Sequence, residues 1–420
     1  MGCILKSGGK TAGKEQIMEF REQSFIPVIF GGDINTYSVA RAFYNAYRVR
    51  SYTFGKFPTG PRYRSRIITY TANQAIDEEE TFLKTITDFA EKHKDKKLMA
   101  IGCGDSYVAL LSRLKDRFPE NVIAPYSDYD LLNRLQQKDL FYQLCEKHGL
   151  DYPATVVFTP DMDPELSLPF GFPLILKPAN PITYWEHPFD TQEKVYTISD
   201  RENLIRVIGE IYGAGYTDNL ILQDMIPGND EYMRVLTCYS DKNAQVKMQC
   251  LGHVLLEEHT PHGKGNHAVI ITEKNEELMG KVKALLEDLH YIGFSNFDIK
   301  YDQRDGKYKF FEINTRQGRS NYYVAASGIN ISRFPVEEYI HNKPLEYTTS
   351  KREALWLVVP AGVAKKYIHE KENKAKLKQL LKEKKYVNPV FMKGDNKPNR
   401  MIRMLKNHMS HYKKYKTYYQ

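Results

Sequence analysis

The 420-residue chain is poor in cysteine, with five residues, and in tryptophan, with two. Cys3, Cys103, Cys145, Cys238 and Cys250 are odd in number and widely spaced, and no C-x-x-C occurs. This argues against a disulfide framework and a structural zinc site, and for a reducing, cytoplasmic location. No apolar run approaches the ~20 residues that a bilayer span requires. Residues 1–10 lack the apolar stretch of a signal peptide. Gly2 follows Met1, but Lys6 stands where a myristoylation signal carries Ser or Thr. Internal repeats are absent, and the Lys/Tyr-rich end is the one compositionally biased stretch.

What is present is ordinary globular material, 42% hydrophobic and 27% charged. The net charge of +8 is unevenly spread. Residues 361–420 hold 17 basic and 4 acidic side chains, so the body is slightly acidic and the end strongly basic. Such a segment bears on partners and solubility rather than on fold.

After a polar lead-in (1–23), Phe25–Phe30 is an apolar run ended by Gly31-Gly32-Asp33 and a helical stretch to about Tyr47. Leu98–Ile101 repeats the pattern before Gly102-Cys103-Gly104, and Val122–Ala124 reads as a third strand. Residues 24–125 are therefore expected to form a small α/β domain with a parallel sheet. Its two glycine turns suit either plain turns or an anion at a helix N-terminus. Residues 126–345 form the expected second domain: an amphipathic helix pair with Lys138 inside it, strands near 155–158, 174–176 and 220–223, alternation through 232–256, a helix over 274–290 and a hairpin at 296–315. Residues 346–420 are the basic C-terminal segment.

The hairpin is the most informative stretch. Two alternating strands flank Asp305-Gly306, a turn signal. With a three-residue loop, Arg304-Asp305-Gly306, Asp298 stands opposite Glu312, and Asn314 and Arg316 share that face. Phe297, Ile299, Phe311 and Ile313 then make an apolar layer on the other side. A two- or four-residue loop turns Asp298 away from Glu312. The clustered oxygens suit Mg²⁺, which prefers carboxylates plus substrate phosphates; a solvated polar face is the plain alternative.

Upstream, Lys177 ends an apolar strand (Phe172 to Pro178), where an ammonium must reach water or meet an anion such as phosphate. Leu220 to Gly228 runs into a Pro-Gly turn whose backbone groups can meet a flat base, with Gln223, Asp224 and Ile226 along it. Asp230 follows, placed to accept hydrogen bonds from a ribose.

In this order Lys138, Lys177, Gln223-x-x-Ile-Pro-Gly228 and Glu312-x-Asn314-x-Arg316 resemble the ATP-grasp superfamily. Gly-Cys-Gly-Asp-Ser-Tyr, Leu-Lys-Pro-Ala-Asn, Gln-Asp-Met-Ile-Pro-Gly and Phe-Glu-Ile-Asn-Thr-Arg-Gln-Gly-Arg-Ser further resemble the D-aspartate ligases of Gram-positive bacteria, over most of residues 24–420. The resemblance implies an α/β and α+β architecture, an ATP-grasp fold with an N-terminal Rossmann-like domain and a basic C-terminal extension. It implies ATP, held through its phosphates by Lys138 and Lys177 and through its base at the hinge. Two Mg²⁺ ions, or Mn²⁺ in their place, would sit at Asp298, Glu312 and Asn314. The implied reaction joins the β-carboxylate of D-aspartate to the ε-amine of a stem-peptide lysine in a peptidoglycan precursor. Arg316 suits a developing oxyanion, Arg319 and Ser320 the amino-acid carboxylate, and Arg234 a phosphate; His253 and His262 are weaker candidates.

One departure is that residues 178–200 contain no glycine, where many ATP-grasp enzymes carry a glycine-rich phosphate loop. Lys194 is the cation available there. Competing readings are a ligase for another amino acid or small peptide, a catalytically inactive ATP-binding module, and a nucleic-acid binder using Tyr412 to Tyr419. The tail lacks a nucleic-acid motif, so no nucleic-acid partner is expected. Peripheral contact of the tail with the inner membrane surface is the expected alternative use of its charge.

Overall fold

The computed structural model describes residues 18–261 and 263–419. His262 and most of the lead-in, including Cys3, lie outside the described residues. Three sheets organise the chain. The first is parallel and built from β1 (Phe25–Phe30), β2 (Ser51–Gly55), β3 (Ile68–Ala72), β4 (Lys97–Gly102) and β5 (Val122–Ile123). Its order β3-β2-β1-β4-β5 is that of an open α/β sheet, as expected for 24–125. The strands β2 and β3 carry no apolar run in the sequence, because both are short and interrupted by polar residues.

The second sheet is small and antiparallel, with β6 (Thr155–Phe158), β7 (Leu174–Pro178), β8 (Tyr196–Ile198) and β9 (Leu220–Asp224) in the order β6-β9-β7-β8. It has its own apolar cluster, including Leu174, Leu176, Ile208, Ile211 and Leu222, covered by the helix Arg201–Gly213.

The third sheet is the largest: β10 (Met233–Ser240), β11 (Val246–Glu257), β12 (His267–Glu273), β13 (Gly293–Asp302), β14 (Lys307–Asn314), β15 (Thr348–Thr349), β16 (Leu355–Leu357) and β17 (Tyr386–Val387). The path is β14-β13-β10-β11-β12-β16-β17, with β15 on β11. Its two faces share cores with the first sheet. One core joins Phe25, Tyr37 and Phe43 to Val235, Tyr239 and Trp356; the other joins Phe30, Leu98 and Leu111 to Leu236, Phe297 and Ile313. The helix Ile34–Tyr47 is buried almost throughout because it is packed between the first sheet and the helix Tyr322–Ala326.

The basic segment is integrated, which corrects the expectation of an extension. It supplies β15, β16 and β17 to the large sheet, and Trp356 is fully buried. The helix Pro398–Tyr418 returns to the N-terminal region, at the 60–63 loop and Tyr37. There Arg400, fully buried, donates to the carbonyls of Pro61, Val390 and Asp395 at 3.0 Å and lies over the Tyr37 ring. Asp395 accepts from Tyr37 Oη and Ser65 Oγ at 2.7 Å and from the Arg66 amide. A buried guanidinium is tolerable only when its donors are met. The Asp395 carboxylate also lies 3.5 Å from Arg400 Nε, so replacing Asp395 with Ala is expected to cost about 3–5 kcal/mol, because it leaves a buried guanidinium without its counter-charge and three donors without their acceptor; a thermal-unfolding midpoint close to that of the parent protein would contradict this.

Candidate active site

On the hairpin β13–β14, Asp298 stands opposite Glu312 and Asn296 opposite Asn314. The expected pairing is there, but a different turn delivers it. Asp302 pairs with Lys307, so the loop has four residues, 303–306, and not three. Such a loop by itself sets Asp298 beside Phe311. A β-bulge next to Asp298 restores the register: Ile299 pairs with Phe310, and Phe311 is the extra residue. Phe310 therefore replaces Phe311 in the apolar layer, meeting Phe297 edge-on at 6.0 Å. Gly306 takes the left-handed conformation, φ 71°, that the loop needs.

Two facing carboxylates repel, and cations from separate parts of the chain hold them. Lys138 is the first residue of the helix Lys138–Lys147, not an interior one, and donates to Glu312 Oε2 at 3.0 Å. Its charge holds the Glu312 carboxyl well below the usual range, with Lys177 and Lys194 adding to it. Asp298 moves the other way, raised by burial and by Glu312. Asn314 Nδ2 donates to Asp298 Oδ2 at 3.1 Å, and Arg316 Nη2 donates to Asn314 Oδ1 at 3.1 Å. Arg316 also grips Asp105 through two nitrogens, at 2.8 and 3.0 Å. Asp105 belongs to the Gly-Cys-Gly-Asp turn of the first sheet. Through Asp105 that turn meets a cation of the second domain.

The donor set, two carboxylates and an amide oxygen, fits a hard divalent cation that completes its shell with water and phosphate. Among the described residues no group of three His, Cys, Asp or Glu side chains is placed to hold a metal.

Lys177 donates to Gln223 Oε1 at 3.0 Å. Gln223 is held in turn, donating to Tyr142 Oη at 2.9 Å and Thr155 Oγ1 at 2.8 Å. Burial, then the nearby Lys138, push the Lys177 ammonium down to about 7. A phosphate brought to it would reverse that shift. At the hinge, Lys300 Nζ donates to the carbonyls of Ile226 (3.0 Å) and Gly228 (2.7 Å) and so fixes the Pro-Gly turn. Asp224 turns to Arg304 and, with Tyr152, Thr155 and Ile226, lines a cavity of about 460 Å³. Asp230 is engaged elsewhere: its Oδ2 accepts from the Glu257 amide at 2.8 Å and lies 2.9 Å from His259 Nε2.

The segment after Arg316 packs on the first sheet. Gln317 Nε2 donates to the Gly102 carbonyl, and Asn35 Nδ2 to the Gln317 carbonyl. Gly318 lies against Asn296, where a Cβ would come within 2.6 Å of Oδ1. Arg319 Nη1 is buried without a hydrogen-bond partner. Ser320 Oγ is 3.3 Å from His267 Nδ1, and His267 Nε2 lies 3.9 Å from Asp298 and 3.7 Å from Glu257. Burial and Arg319 push His267 down to about 4. Arg234 is paired, with Nε 2.5 Å from Glu273. His253, 2.7 Å from the Glu231 carbonyl, is pushed down to about 4 by burial and Arg234.

The glycine-free stretch is a short helix, Pro181–Trp185, stapled to β8 by a Tyr184–Tyr196 hydroxyl contact of 2.7 Å. Sequence reasoning missed Asp105, Tyr142, Glu257, His267 and Lys300. Of these, Lys300 was legible, since it lies two residues beyond Asp298 on the same strand. The others become neighbours of the site only through tertiary contact.

No protein-family model matches the chain. It is 40% identical over 408 residues to the D-aspartate ligase of Enterococcus faecium (strain Aus0004), covering 94% of this chain and 97% of that protein. Among solved structures it resembles the L-amino acid ligase of Bacillus licheniformis (TM-score 0.53, 15% identity, 78% and 76% of the two chains). It also resembles the N5-carboxyaminoimidazole synthetase of Staphylococcus aureus (TM-score 0.56, 15% identity, 80% and 83%). These likenesses give the fold, which is ATP-grasp.

Glu257 has a buried Oε1 without a hydrogen-bond partner, and burial, then Asp230 and Asp298, push its carboxyl up to about 8. Between the ordinary glutamate range and pH 8 the folded protein keeps a proton that the unfolded chain releases, so this group lowers stability as pH rises. Glu257→Gln is therefore expected to raise the unfolding midpoint at pH 8 more than at pH 5. An equal change at both pH values would refute the assignment.

Proposed function

Because the chain belongs to the D-aspartate ligase family, on an ATP-grasp fold, we propose that it joins the β-carboxylate of D-aspartate to the ε-amine of a stem-peptide lysine in a peptidoglycan precursor, with ATP converted to ADP and phosphate. The supporting observation is the convergence of Lys138, Glu312, Asp298, Asn314 and Arg316 from a helix, two strands and the following turn. That set is built for phosphoryl transfer, which needs positioning and charge neutralisation more than covalent help.

In this reading the aspartate carboxylate attacks the γ-phosphorus, giving an acyl phosphate and ADP. The amine then attacks the acyl carbon, and phosphate leaves. Lys177 and Lys138 bind the phosphates, and the hinge carbonyls and amides near Ile226 meet the base. Asp298, Glu312 and Asn314 would hold Mg²⁺, which neutralises phosphate charge when bound. Arg316 faces the growing negative charge at the acyl centre, held in its direction by Asp105. Arg319, with its free donor, and Ser320 take the amino-acid carboxylate. Arg234 and Asp230 carry internal partners, so their roles toward phosphate and ribose require those contacts to exchange. The reading places the enzyme in the cytoplasm, where ATP is made available.

ADP release should depend on D-aspartate and on a lysine-containing precursor. Equal stimulation by L-aspartate or another amino acid would favour a different ATP-grasp ligase. Glu312→Gln should abolish ADP formation; normal turnover would remove the metal assignment. Arg316→Ala should lower kcat by about 10²–10³-fold with little change in ATP affinity. Asp105→Asn should fall between the parent protein and Arg316→Ala in kcat and leave ATP affinity intact; parallel loss of binding would make this contact structural.

A further inference from the structure

The helix Pro398–Tyr418 has two unlike faces. Arg400, Met404, His411 and Tyr415 are buried, at spacings of four, seven and four residues that keep them on one face. Opposite them, Ile402, Leu405, Met409 and Tyr412 are 53, 48, 57 and 45% exposed. Their spacing of three, four and three residues puts all four on one stripe. Lys406, Lys413 and Lys416 border or continue that stripe; all are exposed, and none forms an ion pair among the described residues. Residues 396–420 contain no Asp or Glu. The stripe and its lysines run from Ile402 to Lys416, about 20 Å along the 21-residue helix.

Exposed Leu, Ile and Met in a row on a soluble surface ask for a partner. Charge decides which one. Two copies of this helix packed stripe to stripe would set lysines beside lysines with no carboxylate to offset them. A polyanion without an apolar phase would meet the lysines but leave the four apolar side chains in water. An anionic bilayer meets both, since the apolar face enters the boundary between headgroups and acyl chains while the lysines stay with the phosphates. Among the described residues no helix is long and apolar enough to cross a membrane. We infer that this helix docks the protein, parallel to the surface, on membranes rich in anionic lipid.

The docked face and the active site are mechanically joined. His411 Nε2 lies 3.2 Å from Glu258 Oε1, and Tyr415 Oη donates to the Glu257 carbonyl. Glu257 ends β11 and Glu258 follows it, and the neighbouring β12 carries His267 beside Asp298. Docking thus fixes the orientation of the catalytic sheet relative to the lipid surface. The inference does not depend on which acid or amine is joined.

The test is co-sedimentation of the full chain with vesicles of phosphatidylglycerol and phosphatidylcholine, against pure phosphatidylcholine, at low and high salt. The expected result is binding to the anionic vesicles that weakens with salt, each surface lysine contributing on the order of fivefold. Leu405→Glu/Met409→Glu should weaken binding by at least about tenfold while ADP formation with soluble substrates is unchanged, because both residues are exposed. Three results would overturn the inference. These are no preference for anionic vesicles, equal binding by the double variant, or a solution dimer that the double variant abolishes, which would give the stripe to a second copy.

Discussion

Everything in the site follows from placing two carboxylates, Asp298 and Glu312, face to face on one hairpin. Like charges at that distance do not persist without counter-charge. The counter-charge comes from outside the hairpin: Lys138 from a helix start on one side, Arg316 through Asn314 on the other. The sheet can be folded with these acids in place because distant segments have arrived to neutralise them. The site is therefore assembled as part of folding, and its acids are already oriented before any ligand comes.

The first sheet takes a role that its glycine turns do not announce. Gly102-Cys103-Gly104-Asp105 and Gly32-Asp33-Ile34-Asn35 resemble anion cradles, yet they receive the 316–321 segment of the other domain. Asp105 holds Arg316, and Asn35 holds the backbone after it. A residue of the N-terminal region thus sets the direction of an arginine that the proposed chemistry uses. The two shared apolar cores make that arrangement stiff.

Much of this was legible in the sequence, and the reasons differ by residue. Asp298, Glu312 and Asn314 could be found because a strand repeats every two residues, so one hydrophobic pattern fixes both faces. Lys177 could be found because a charged residue at the end of an apolar strand is costly unless it meets an anion. The loop length was misjudged because a bulge cancels its effect: the bulge shows no residue signature, and Phe310 and Phe311 are chemically identical. Asp105 and His267 were hidden for another reason. Their partners lie 211 and 53 residues away, and local patterning carries no record of that contact. The basic C-terminal segment misled in the opposite way. Its lysines suggested an extension to the fold, while Trp356, Asp395 and Arg400 make it a structural member.

The bulge at Phe311 separates two matters that hairpins usually tie together. In a plain hairpin the number of residues in the turn dictates which side chains face each other along both strands. Here the extra residue is absorbed next to the paired acids, so the distal half of the hairpin has one phase and the proximal half another. The tip is thereby insulated from the chemistry. Sequence drift can remodel the distal hairpin, together with the Arg304–Asp224 bridge that anchors it to the hinge, while the paired acids keep their alignment. Relatives of this enzyme can accordingly differ in the outline of that rim and still share one reaction centre.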